Sequence, residues 1–472
     1  MAKSRLAAVY ELGQSIWNDN IQRSLITSGE LQRLIDEDSV VGMTSNPAIF
    51  EKAIDGSADY DDAIRSLVQQ GVSDPHEIFE SLAVEDIQMA ADVLRPVYDR
   101  TNHVDGYVSL EVSPVAANDT QKTIEEARHL FKRVNRPNVM IKIPATAEGM
   151  PAIEQMIYEG VNINITLIFD LGVYEKVTEA YIRGLEHRVH EGLPVKDIAS
   201  VASFFVSRVD TMVDKLLDEK IAQTDDDARK DELRQLQGKA AIANARLAYG
   251  KYQQIFHGPR FAALLEKGAA TQRPLWASTS TKNPAYRDVM YVEELIGPET
   301  VDTMPPQTIK AFQDHGEVKL TLTPENIAAS QQIMDRLATA GIDMAQVTKQ
   351  LEIDGVRLFV EPYNSLMQST AAKTDRLRKE LQATGSAGKS GGSGSADASA
   401  VGAAASSAAA PTADPAVRQQ ASLGGLQSAV DAALDRADRE RFAQRVWQHD
   451  PTLWKPNPAE QNEITNRLGW LT

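Results

Sequence analysis

Short apolar runs alternate with longer amphipathic stretches over roughly the first 320 of 472 residues. Eight of the runs read as strands, near Ser15–Asp19, Ser39–Thr44, Asp105–Val112, Asn138–Ile143, Asn162–Phe169, Ala199–Val206, Pro274–Ser278 and Glu299–Thr303. Between them, stretches such as Thr120–Asn135, Asp170–Glu191 and Arg208–Gln223 carry apolar residues at helical spacing. Strands of this apolar kind, alternating with helices, imply a parallel sheet covered by helices. Eight such units predict an α/β fold of the (β/α)8 TIM-type barrel class, with a doubly wound open sheet as the alternative.

Two connections are long enough to hold several helices, Asn46 to His103 and Arg208 to Arg273. A helical pattern from Thr323 to about Leu381 follows the last strand, with an expected interruption near Asp354-Gly355. Residues 1–382 therefore read as one barrel domain. Composition then shifts to Ala, Ser and Gly over residues 383–425, too poor in large apolar side chains to offset chain entropy, and this reads as a disordered linker. Residues 426–472 read as a short helical segment, a helix over about Leu426–Gln448 followed by an end that contains two more tryptophans, Trp454 and Trp470.

Within the strands the side chains fall on two faces. Val139, Ile141 and Ile143 share one side of their strand, Met140 and Lys142 the other. Val108, Leu110 and Val112 oppose Ser109, Glu111 and Ser113. Ile163, Ile165, Leu167 and Phe169 oppose Asn162, Asn164 and Thr166. In a helix-covered barrel the polar rows face the lumen, where an unpaired polar group is costly, and the barrel rule puts a functional centre at the C-terminal ends of the strands. A lysine on an apolar strand has a chemical use there, because burial favours the free amine that attacks a carbonyl. The alternatives are a lysine reaching out from a strand edge and one held by a carboxylate.

Composition narrows the partners. The formal charge of −17 argues against nucleic acid or an anionic membrane, both of which need clustered Lys and Arg, but a phosphorylated metabolite needs only two or three local cations. The absence of cysteine removes disulfides, thiol catalysis and Cys-bound metals. No stretch approaches the roughly 18 apolar residues of a membrane span. The start runs into an amphipathic helix without a signal-peptide core, so the expected compartment is the cytoplasm.

Five motifs in order carry a family resemblance. Gly42-Met-Thr-Ser-Asn-Pro47, Val139-Met-Ile-Lys-Ile-Pro-Ala-Thr-Ala-Glu-Gly149, Ile163-Asn-Ile-Thr-Leu-Ile-Phe169, Ser203-Phe-Phe-Val-Ser-Arg208 and Ala277-Ser-Thr-Ser-Thr-Lys-Asn283 resemble the transaldolase signatures, within a likeness running from about residue 5 to 380. The resemblance implies a class I aldolase-like barrel that transfers a dihydroxyacetone unit between sugar phosphates through a Lys142 Schiff base, with neither metal nor organic cofactor. Asp19, in Trp17-Asn-Asp-Asn20, matches the family's general base, and Glu111 and Thr166 match the pair that handles a catalytic water. Asn46 and Asn164 match the amides that hold the three-carbon unit. Arg208 and Ser278 fit phosphate recognition, with Ser203 as a nearby hydroxyl contact. The shorter form of the family has an arginine two residues after its equivalent of Ser278. Here Ser280 stands there and Lys282 follows, as fits the longer branch, with Lys282 as a candidate phosphate ligand. Arg208 also reads as a helix-start ion pair.

Other signals are weaker. Ala383-Thr-Gly-Ser-Ala-Gly-Lys-Ser390 satisfies a permissive phosphate-loop pattern, but it follows a helix and enters a Gly/Ser run, so no nucleotide site is expected. His187 and His190 read as a solvated helix face, and Asp225–Asp227 as a loop or helix start. Trp447-Gln-His-Asp-Pro-Thr-Leu-Trp454 and Asn466-Arg-Leu-Gly-Trp-Leu471 look like the opening of the isomerase half in fused transaldolase/glucose-6-phosphate isomerase chains, or serve as a docking segment. The functional expectations are therefore a transaldolase, a fructose 6-phosphate aldolase that releases free dihydroxyacetone, or a silent barrel scaffold. A monomer and a homodimer both remain open.

Overall fold

The computed structural model describes residues 4–387. Eight strands form a closed parallel barrel in sequence order: β1 (Gln14–Asp19), β2 (Val40–Thr44), β3 (Tyr107–Glu111), β4 (Val139–Pro144), β5 (Ile163–Ile168), β6 (Ser200–Phe205), β7 (Arg273–Ala277) and β8 (Thr300–Met304). All eight expected strands are present, and closure of β1 onto β8 settles the barrel against the open sheet. The three expected helices appear at Thr120–Val134, Leu171–His190 and Ser207–Ala222.

Two layers of side chains account for this closure. Val108, Leu110, Val139, Ile141, Ile163 and Ile165 are almost wholly buried, as the helix-facing rows of β3 to β5 require. The lumen is filled by rows of the opposite parity. Trp17 of β1 occupies space left by Gly42 of its neighbour β2, where an added Cβ would lie 2.5 Å from the indole. The long connection after β2 holds the helices Pro47–Asp55, Asp61–Gln69 and Pro75–Arg100, while the one after β6 holds four, from Ser207–Ala222 to Pro259–Leu265.

Two expectations are corrected. The alternation on β5 holds only through Thr166, because the β5–β6 ladder shifts register between Ile165 and Ile168 and Leu167 takes φ 61°. A branched residue in that region is strained, and such strain persists only where surrounding packing imposes it. The second concerns the helical pattern after β8. Its break lies between Pro324–Thr339 and Met344–Ala387, at Gly341 with φ 76°, and the second helix runs unbroken through Asp354-Gly355. Gly355 is helical because the helix crosses close over the end of β5: a Cβ there would lie 3.0 Å from Leu167 Cδ2. This closing helix extends five residues past 382, into the segment read as linker. The rest of that segment, the last three residues of the phosphate-loop-like motif (388–390) and the residue 426–472 tail lie outside the described residues.

The closing helix is pinned on both sides of the barrel mouth. The Thr348 hydroxyl donates to Asp170 Oδ2 at 3.3 Å, and Lys373 Nζ donates to the Ile54 carbonyl at 2.8 Å and pairs with Asp61 at 2.9 Å. Ser365 bonds Glu51 between these points.

Candidate active site

Strand register brings the chemistry together. Glu111 pairs with Lys142 across β3–β4, and Lys142 with Asn164 across β4–β5, so three polar residues from three apolar strands form one row in the lumen. Lys142 is 5% exposed. Its Nζ stands 3.1 Å from Glu111 Oε2 and donates to the Ser45 carbonyl at 3.0 Å. The contact with Glu111 is a charge pair with poor hydrogen-bond direction, which leaves Oε2 without a hydrogen-bond donor. Thr166 Oγ1, one step further along the lumen face of β5, is buried and equally without a partner. Lys142 thus occupies the lumen as the barrel rule anticipated, rather than a strand edge, although the carboxylate partner weighed as an alternative is also present.

Above this row lies a cavity of about 200 Å3. Asp19, Asn46, Lys142 and Thr166 line its deeper part, and Ser203, Arg208, Ser278 and Lys282 line it too. Asp19 ends β1, where the Thr44 hydroxyl donates to its Oδ1 at 2.6 Å; Thr44 in turn touches the Thr303 hydroxyl at 2.7 Å. Burial pushes the Asp19 carboxyl above its ordinary range, while that hydrogen bond and then the Lys142 and Lys282 charges pull it down. Burial also raises Glu111, with Lys142 opposing it and Asp19 reinforcing it. Two carboxylates held against ionisation beside one amine form a set fit for moving protons.

The other end of the cavity is cationic. Arg208 lies at the start of the helix Ser207–Ala222, its guanidinium 5.3 Å from the Phe205 ring centre. No ion pair to Arg208 occurs among the described residues, so the helix-start ion pair is not what holds it, and one of its nitrogens is buried without a partner. Burial keeps the guanidinium below its ordinary range. Lys282 stands at the exposed rim, where its Nζ bonds Ser280 Oγ at 2.8 Å. Partial burial and then the neighbouring Arg208 charge lower the Lys282 ammonium, and Asp19 acts in the opposite sense. Two mutually repelling cations beside serine hydroxyls call for an anion. Ser278 holds φ 59°, a strained value for a non-glycine residue, and its hydroxyl meets Ser207 Oγ at 2.9 Å.

Two expected residues stand outside the cavity wall. Asn164 is fully buried beneath it, donating to Ser109 Oγ at 3.0 Å and accepting from Ser203 Oγ at 2.7 Å. Glu111 lines a neighbouring cavity of about 220 Å3, which Asn46 shares. Asn46 Oδ1 caps the helix Pro47–Asp55 by accepting from Ile49 N–H at 3.0 Å, which leaves its amide nitrogen as a donor for a ligand.

Sequence reasoning passed over Thr44, Thr303, Phe205, Gln307 and Phe359, all of which line the same cavity. Thr44 lies inside a quoted motif, and strand alternation would have turned it toward the lumen with Gly42. Phe359 sits on the closing helix, and nothing in strand periodicity points to it.

The chain matches the family described as transaldolase/fructose-6-phosphate aldolase over residues 16–370. The chain belongs to that family. It is 49% identical over 380 residues to transaldolase 2 of a Nostoc species, covering 80% of this chain and 99% of the relative. Identity is 47% over 379 residues to the transaldolase of Trichodesmium erythraeum, with 80% and 99% covered, and 48% over 375 residues to that of Acidothermus cellulolyticus, with 79% and 98% covered. Membership of this family makes the chain a transferase enzyme on a TIM barrel. Among the described residues no helix is long and apolar enough to cross a membrane, and no group of His, Asp or Glu is arranged to hold a metal ion.

Proposed function

We propose that this transaldolase carries a dihydroxyacetone unit from a ketose phosphate, sedoheptulose 7-phosphate or fructose 6-phosphate, to an aldose phosphate, glyceraldehyde 3-phosphate or erythrose 4-phosphate, as part of the pentose phosphate pathway in the cytoplasm. The observation that carries the reading is the buried Lys142 amine at the floor of a cavity that also holds an unpaired Arg208. The amine attacks C2 of the ketose, water leaves, and a protonated imine forms. Asp19 takes the C4 hydroxyl proton, the C3–C4 bond breaks, and the electron pair enters the imine as an enamine. The aldose phosphate departs, another enters, and the same steps run backwards. Glu111 Oε2 and Thr166 Oγ1, both without a hydrogen-bond partner although Oε2 is charge-paired with Lys142, suit a water bound between them during imine formation and hydrolysis. Arg208, Ser278 and Lys282 bind the phosphate, Asn46 bonds the three-carbon unit, and Asn164 and Ser203 steady the lumen beneath it.

A coupled assay tests this directly. Glyceraldehyde 3-phosphate should appear from fructose 6-phosphate only when erythrose 4-phosphate is supplied. Its release in step with free dihydroxyacetone, without acceptor, would make the protein an aldolase instead.

The domain plan proposed with it is a barrel followed by a linker and a C-terminal segment. The tryptophan motifs after about residue 440 support kinship of that segment with the start of an isomerase half.

A further inference from the structure

The closing helix brings one aromatic ring to the reacting amine. Phe359 is 8% exposed, lines the Lys142 cavity, and has its ring centre 5.4 Å from Nζ. Three features place it there. Gly355, one turn earlier, lets the helix approach Leu167 with no side chain between. Leu167 accepts a left-handed backbone, φ 61°, at the point of that approach. Thr348 and Lys373 tie the helix to opposite sides of the mouth. A backbone strained on one side and a missing side chain on the other mark a contact that packing alone did not require.

We propose that Phe359 is a specificity-determining residue: it keeps water from the Lys142-bound three-carbon unit, so that the unit waits for an acceptor aldose. The proposal rests on the Schiff-base reading above. Release and transfer differ in what they consume. To release dihydroxyacetone, the enamine carbon must gain a proton from water or an acid. Water must then add at C2, after which the C–N bond breaks, the amine returns to Lys142 and the water oxygen stays on the ketone. Transfer instead forms a C–C bond to the aldehyde carbon of the acceptor, whose oxygen takes the proton back from Asp19; the enamine carbon is never protonated, and water adds at C2 only to release the new ketose. An apolar ring over the nitrogen excludes water from that side, and its face favours the cationic imine over the neutral amine. Glu111, by contrast, lines the neighbouring cavity beside Tyr363, which Phe359 does not line, so the water of normal imine exchange reaches Lys142 from the Glu111 side.

The experiment compares the parent with Phe359→Ala and Phe359→Leu, using fructose 6-phosphate with and without erythrose 4-phosphate. Three quantities are read: free dihydroxyacetone, transferred product, and the borohydride-trapped adduct at Lys142. Phe359→Ala should raise the ratio of release to transfer by roughly tenfold, a change of about 1.4 kcal/mol in relative barriers, while the adduct still forms. Phe359→Leu, which keeps apolar cover, should fall between the two. A folded Phe359→Ala with the parent's ratio would overturn the proposal and leave the ring as a packing anchor. Should Phe359→Ala fail to fold, an unchanged ratio in Phe359→Leu and Phe359→Tyr together overturns it equally. Absence of any Lys142 adduct in the parent would be a different failure, that of the Schiff base itself.

Discussion

Lys142 Nζ and Glu111 Oε2 stand 3.1 Å apart, with their side chains only 7% and 6% exposed. A buried pair of this kind contributes little to stability, since the desolvation of both ions offsets their attraction. Its value lies in chemistry. Glu111 is pushed up by burial and pulled down by Lys142, so the proton it holds depends on whether the lysine is amine, ammonium or imine. The partner that could have made Lys142 merely structural is therefore the group suited to serving it.

Asp19→Asn should separate imine formation from bond cleavage. The amide keeps the contact with Thr44 but takes no proton from the C4 hydroxyl, so kcat should fall by about 10²–10⁴-fold while the Lys142 adduct still traps. Single-turnover kinetics with fructose 6-phosphate check this, and unchanged turnover would remove Asp19 from its role.

Arg208 and Lys282 should differ in weight. Arg208 is half-buried, with one nitrogen fully buried and without a partner, whereas Lys282 lies at the exposed rim. Losing a charged hydrogen bond of about 1.5–3 kcal/mol predicts a rise in KM of roughly ten- to a hundredfold for Arg208→Ala. Lys282→Ala should cost less. Competition by inorganic phosphate should weaken in parallel, and equal phosphate inhibition in Arg208→Ala and parent would place the anion elsewhere.

Stability should fall as pH rises toward neutrality. Asp302 of β8 is wholly buried, its Oδ1 accepts from the Thr279 hydroxyl at 3.0 Å, and burial pushes its carboxyl up to about 7. Asp210 is likewise raised to about 7 by burial. For an acid raised in the folded state, the native protein binds the proton more tightly than the unfolded chain. The stabilisation is then complete below about pH 4 and declines up to about pH 7, by at most about 1.4 kcal/mol per pH unit for each group. Asp302→Asn retains an acceptor for Thr279 and removes this titration, so its Tm should vary less between pH 5 and 8. Parallel Tm profiles for the two proteins would contradict the assignment.

The barrel was legible because each parallel strand is buried on its helix side, which prints an aliphatic row into the sequence and makes the intervening Lys142, Glu111 and Thr166 conspicuous. Boundaries also came close: β1 begins one residue before the expected Ser15, and β8 ends one residue past Thr303. What failed was local. Gly355 looked like a break because glycine weakens helices, yet here it permits a close crossing that only the tertiary fold reveals. The strain at Leu167 and Ser278 has no sequence mark at all, since both are ordinary residues in a conformation imposed by their neighbours. Phe359 was invisible for the same reason, being brought to Lys142 by a helix more than two hundred positions downstream.

The most direct test is borohydride trapping with fructose 6-phosphate, followed by peptide mass analysis of the parent and of Lys142→Ala. A reduced three-carbon adduct should appear on the peptide containing Lys142 and be absent from the variant. An adduct of equal yield in Lys142→Ala, or none in the active parent, would contradict the central claim that this lysine carries the sugar.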